Sequence, residues 1–290
     1  MRDQAEKLRM KMLESEGALG KSIAVVSGKG GVGKSNFTIN FATILAKEGK
    51  RVVILDMDIG MGNIHILMGK TVSSSLKDYL DGDLSMEEVM HEGPEGLQYI
   101  SGGSGMSSLV EWSEKMFNQL IEGFEHLQKN FDYILFDMGA GAADWSLELL
   151  TSVDEIIVIS TAEPTAIMDA YSMMKYICLK DSEKPFTILC NRAFTPEEGR
   201  DTLNRLASAM KKFLSKDVMI LGSLPEDPVV RKAVREQVPF TLAYPEAPIS
   251  TTMRRMANTF IHQRSEEIHA PSEAKGFLSK LKSIFSKGRD

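Results

Sequence analysis

Residues Ile23 to Ser35 constrain this chain more than any other stretch. The apolar run Ile23-Ala24-Val25-Val26 stops at Ser27, a glycine-rich turn follows, and helix-compatible residues resume at once. Gly28 to Ser35 fits G-x-x-x-x-G-K-[ST] at every fixed position. In a strand–loop–helix setting, the backbone N–H groups of Gly28, Lys29, Gly30, Gly31, Val32 and Gly33 can converge on phosphate oxygens. The helix that starts here adds its positive dipole end and carries Lys34, Ser35 and Asn36 in its first turn. Lys34 can reach the β- and γ-phosphates, and the Ser35 hydroxyl suits a Mg²⁺ position. A glycine turn with no ligand is the plain alternative, and the flanking strand and helix argue against it. The chain is expected to bind a nucleoside triphosphate.

Two more apolar runs end in carboxylates. Arg51-Val52-Val53-Ile54-Leu55 leads into Asp56-Met57-Asp58, and the two aspartates share one strand parity. Phe131 to Phe136 leads into Asp137-Met138-Gly139, a Walker B-like segment in which Asp137 is the expected Mg²⁺ partner. Carboxylates at the carboxyl ends of parallel strands sit where doubly wound folds bind ligands. Capping or turn-forming aspartates are the alternative. A third run, Phe186 to Cys190, ends in Asn191-Arg192. A guanine-reading loop would need N-K-x-D there, and neither the Lys nor the Asp is present, so ATP is favoured over GTP.

Strand and helix patterns alternate along residues 21–268, with helical spacing over 36–48, 111–129, 164–179, 196–214, 227–236 and 249–268. This predicts an α/β fold: a doubly wound, mainly parallel sheet with helices on both faces, as in P-loop NTPases. The sequence divides into an arm (1–20), this domain (21–268), and a linker with a C-terminal helix (269–290). No apolar run approaches the roughly 20 residues that span a bilayer. Cys178 and Cys190 are the only cysteines, too few and too separated for a disulfide framework or a C-x-x-C metal knuckle. The net charge of −6 argues against nucleic acid as the main partner.

Locally the C-terminus is basic. Phe277, Leu278, Leu281, Ile284 and Phe285 fall on one helical face, with Lys275, Lys280, Lys282, Lys287 and Arg289 around it. A basic amphipathic helix beyond a linker can fold on an anionic membrane surface. The other reading is a helix packed on its own domain. Both hold in turn if the helix docks in one nucleotide state and leaves in another.

Lys29 is an unusual second lysine in the loop. With Asp56-x-Asp58 and the Asp137 strand, it makes residues 20–268 resemble the deviant Walker A ATPases of the MinD/ParA family. The resemblance implies an ATP-dependent homodimer in which Lys29 reaches the partner's nucleotide, alongside Lys34. It implies that Asp58 positions the attacking water, that Asp56 supports Mg²⁺ beyond its inner ligands, and that Asn191 and the Pro225-Glu226-Asp227 loop surround adenine. At the N-terminus, Asp3-Gln4-Ala5 is similar to the activating motif of the FlhG group of flagellar regulators. That likeness implies docking on the signal-recognition-type GTPase FlhF, contacts with flagellar C-ring components, and a cytoplasmic protein reversibly peripheral on the inner membrane face. Division-site placement, another ParA-like positioning role, and a nucleotide-bound scaffold with negligible hydrolysis are the alternative readings.

Overall fold

The computed structural model describes residues 19–58, 62–103, 114–139, 144–267 and 276–287. In chain order the elements are β1 (Lys21–Val26), α1 (Lys34–Lys47), β2 (Val52–Met57), α2 (Ile64–Leu67), α3 (Leu76–Asp81), α4 (Met86–Val89), β3 (His91–Glu92) and β4 (Gln98–Ile100). They continue as α5 (Glu114–Asn130), β5 (Tyr133–Met138), α6 (Asp144–Ser152), β6 (Glu155–Ser160), α7 (Pro164–Lys180), β7 (Phe186–Ala193) and α8 (Pro196–Leu214). The last are β8 (Met219–Pro225), α9 (Pro228–Glu236), α10 (Phe240–Ala243), α11 (Pro248–Glu267) and α12 (Phe277–Lys287).

The strands form one sheet in the order β3-β4-β2-β5-β1-β6-β7-β8, parallel except for the short β3 against β4. The central strands are apolar on both faces because both faces are covered, as parallel sheets require. Val26, Leu55, Phe136 and Val158 join α3 to α8 on one side. Val25, Ile54, Leu135 and Ile157 join α1, α10 and α11 on the other. The expected doubly wound architecture is therefore present. Helix boundaries match the apolar spacing closely; α8 runs over residues 196–214 as expected, with Thr195 accepting a hydrogen bond from Glu198 N as N-cap. Two short helices, α2 and α10, and the antiparallel β3 have no readable period, because a single turn is too short to show one. Helix α6 also escaped the sequence reading.

The C-terminal helix α12 is seated on the domain. Phe277, Leu278 and Leu281 are buried in the same apolar cluster as Phe124, Phe136, Leu147 and Leu150. The Phe277 ring centroid lies 5.4 Å from that of Phe124 and 5.9 Å from that of Phe136. Lys282 pairs with Glu125 on α5 at 2.6 Å, and Lys280 lies 3.6 Å from Asp181 beyond the end of α7. Three of the five residues read as a lipid-facing stripe thus face protein here. The side chains of Ile284 and Phe285 lie outside the described residues, as do Asp3, Gln4 and Ala5.

Candidate nucleotide-binding site

The phosphate loop leaves β1 between β5 and β6, at the centre of the sheet. Gly33 takes φ 92°, and a Cβ there would lie 2.4 Å from Asn191 Nδ2. Both facts demand glycine, and together they close the loop against β7. Asn191 Nδ2 donates to Val32 O at 2.8 Å, while its Oδ1 accepts from Arg192 N. Asn191, expected at the base, therefore also fastens the phosphate loop to the strand beside it. Sequence reasoning missed that link, which joins positions 159 apart in the chain.

Register brings the carboxylates together. Asp56 on β2 stands directly beside Asp137 on β5, and both are buried. Lys34 Nζ lies 3.8 Å from Asp137 Oδ1, and Thr38 Oγ1 donates to the same oxygen at 3.1 Å. Burial pushes the Asp137 carboxyl up, while Lys34 and the hydroxyls of Ser35 and Thr38 pull it back down. Thr38 is a site residue that the motif did not name. Its signal was its place one helical turn after Lys34, on the same face of α1.

Asp56 is raised to about 6, chiefly by burial and partly by the neighbouring Asp137 and Asp58. Its oxygens accept from Asp58 N and Ile64 N, each at 3.1 Å. It thereby holds both ends of the segment between β2 and α2. Asp58 lies at the mouth, and a Cβ on Gly139 would come within 3.1 Å of its Oδ1. The loops after β2 and β5 thus meet at Asp58.

Lys29 lies at the exposed rim, donating to Glu163 Oε2 at 2.9 Å and to Thr165 Oγ1 at 3.3 Å. On the base side, Glu226 N donates to Ala193 O, which places the 225–227 loop beside Asn191. Asp227 Oδ1 accepts from Val229 N and caps α9, a helix-cap role that sequence reasoning did not assign to it. Glu226 is held by Arg192 at 2.8 Å and Arg231 at 3.3 Å.

This donor set suits a nucleoside triphosphate with Mg²⁺: a glycine-shaped loop, one lysine inside it, hydroxyls at Ser35 and Thr38, and buried carboxylates at the carboxyl ends of two strands. The ParA family profile, described as NUBPL iron-transfer P-loop NTPase, matches residues 18–261. The chain is a ParA/MinD-family P-loop ATPase. Within that family it is 33% identical over 256 residues to antiactivator FleN of Pseudomonas aeruginosa, covering 88% of this chain and 90% of that protein. It is 31% identical over 265 residues to flagellum site-determining protein YlxH of Helicobacter pylori, covering 90% and 89%. Among solved structures, the septum site-determining MinD of Pyrococcus horikoshii, complexed with Mg-ADP, superposes with a TM-score of 0.68 at 24% identity, covering 87% of this chain and all of that one. The likeness to that ATPase's structure confirms the fold. Among the described residues no three His, Cys, Asp or Glu side chains form a metal-holding group.

Proposed function

We propose that this ATPase is a nucleotide-controlled switch that regulates flagellar number or placement, with ATP and Mg²⁺ driving homodimerisation and release of α12 to an anionic membrane. The observation that carries the switch is a connection. Strand β5 carries Asp137 near its end, Gly139 just after it lies beside Asp58, and the next described element is α6, one of the helices on which α12 is seated. On this reading, a change at the phosphate end of β5 alters the seat of the tail.

Ser35 and Asp137 would hold Mg²⁺, which neutralises phosphate charge when bound. Lys34 cradles the phosphates, and Lys29, freed from Glu163, turns toward a second copy. Asp58 orients the attacking water, and Asp56 keeps Asp58 in place through its backbone N–H. None of these groups is a strong general base aimed at water, so turnover is slow and open to stimulation by a partner.

The flagellar assignment is supported by the FleN and YlxH relatives over about nine-tenths of the chain. With it come the arm Asp3-Gln4-Ala5 as activator of FlhF and the C-ring as an assembly partner. No helix among the described residues is long and apolar enough to cross a membrane, and attachment through α12 requires none. The test is solution mass with ATP·Mg²⁺ and with ADP, for wild type and Asp58→Ala, followed by co-sedimentation with anionic vesicles. A dimer that sediments only with ATP supports the switch. A monomer in both nucleotides removes it.

A further inference from the structure

Gly20 and the tail helix α12 meet on one helix, α5. Gly20 N donates to Gln128 O at 2.8 Å, and Gln128 Nε2 donates back to Gly20 O at 3.1 Å. Gly20 also packs so closely on Phe131 that a Cβ would lie 2.0 Å from its carbonyl oxygen. The described chain therefore begins beside the C-terminal turn of α5. Phe124, which carries Phe277 of the tail, is four residues before Gln128 and on the same face. Glu125, which pairs with Lys282, is its neighbour.

We propose that the groove on α5 and α6 is a site with two intramolecular occupants, and that the arm segment Leu8 to Leu13 enters it when α12 leaves. The inference rests on the release of α12 argued above. Without a cover, departure of the tail would expose the aromatic seat of Phe124 and Phe136, an apolar patch that a soluble state avoids. The arm matches that seat in chemistry. Leu8 and Met12 are four residues apart with Leu13 beside them; Lys7, Arg9 and Lys11 are interleaved with them, and Glu6 and Glu14 bracket the segment. In the tail, Phe277 and Leu281 are likewise four apart, and its lysines meet Glu125 and Asp181. The acidic rim of Glu125 and Asp181 suits the three cations within residues 7–13 as it suits the tail's lysines.

Reach is not limiting. Gly20 is seven residues beyond Leu13, an extended span of roughly 25 Å, against about 6 Å along α5 from Gln128 to Phe124. Tethering at this distance gives an effective concentration on the order of millimolar, so modest apolar complementarity suffices. The consequence is reciprocal coupling: a seated tail keeps the arm open to partners, and a tail on the membrane draws the arm in.

Trypsin cleavage after Lys7, Arg9 and Lys11, followed by mass spectrometry, reads arm occupancy directly. In the full chain, Phe277→Asp with Leu281→Asp should empty the seat and slow these cuts at least about tenfold relative to wild type, the factor expected for a nine-tenths occupied site. Adding Leu8→Ser and Met12→Ser, which remove the apolar contacts without placing an acid beside the cleaved bonds, should restore the fast rate. Where the double substitution impairs folding, Lys280→Glu with Lys282→Glu removes only the rim pairs and gives the same readout. Equal cleavage rates with the tail seated and unseated would overturn the proposal. Nucleotide and vesicles are absent from this assay, so a failure of ATP-driven release leaves its outcome unchanged.

Discussion

Lys29 Nζ and Glu163 Oε2 are paired at 2.9 Å within one chain, at the rim of the phosphate loop rather than inside it. Both side chains are largely exposed, and pairs of that kind contribute little to folding. Lys29→Ala is therefore expected to leave the denaturation midpoint unchanged while lowering ATP turnover at least about tenfold if, as proposed, it acts at a partner's phosphates. Glu163→Gln should preserve turnover. Phosphate release and a urea titration on each variant check this; a lowered midpoint with normal turnover would make the lysine structural.

Gly33→Ala tests the closure of the loop on β7. The new methyl meets Asn191 Nδ2, and φ 92° is a left-handed conformation that costs a non-glycine residue about 1–2 kcal/mol. Nucleotide affinity should fall at least about tenfold with a measurable loss of stability. Asn191→Ala removes the clash partner, so the pair of substitutions should cost less together than the sum of each alone. Fluorescent-nucleotide titration of the three variants decides.

Asp56 predicts a pH dependence in the nucleotide-free protein. Its carboxyl titrates near 6 when folded, above the ordinary value of 3.8, because burial disfavours the charge. The folded state then binds more protons than the unfolded state between those values, so stability falls as pH rises through that window and is flat above it. Asp56→Asn should flatten this contribution. Near neutral pH it should gain on the order of 1 kcal/mol, after the loss of one of the two N–H bonds is counted. The same variant should hydrolyse ATP poorly, because Asp58 loses its brace. Urea midpoints from pH 4 to 8 are the measurement.

Glu125→Arg loosens the seat of α12 without touching its apolar residues, replacing an attraction to Lys282 with a repulsion. Binding to anionic vesicles in the absence of nucleotide should rise several-fold, in keeping with a shifted two-state balance. Unchanged vesicle binding would mean that the apolar contacts alone hold the tail.

The phosphate loop and most of the alternation of strands and helices were legible in the sequence because each depends on local rules, whereas the roles expected of Asp56, Asp58 and Asn191 came from the resemblance. A loop that must present N–H groups needs glycines at set offsets, and buried parallel strands must be apolar on both faces. What tertiary structure alone decided was which distant residues meet. Register put Asp56 beside Asp137, the turn of α1 put Thr38 on Asp137, and sheet order put Asn191 against Val32. The tail shows the limit most plainly. Its basic amphipathic pattern suits a lipid surface or a protein groove equally, since both reward burial of one apolar face. Only the aromatic seat formed by Phe124 and Phe136, brought together from α5 and β5, shows that the chain supplies that groove itself.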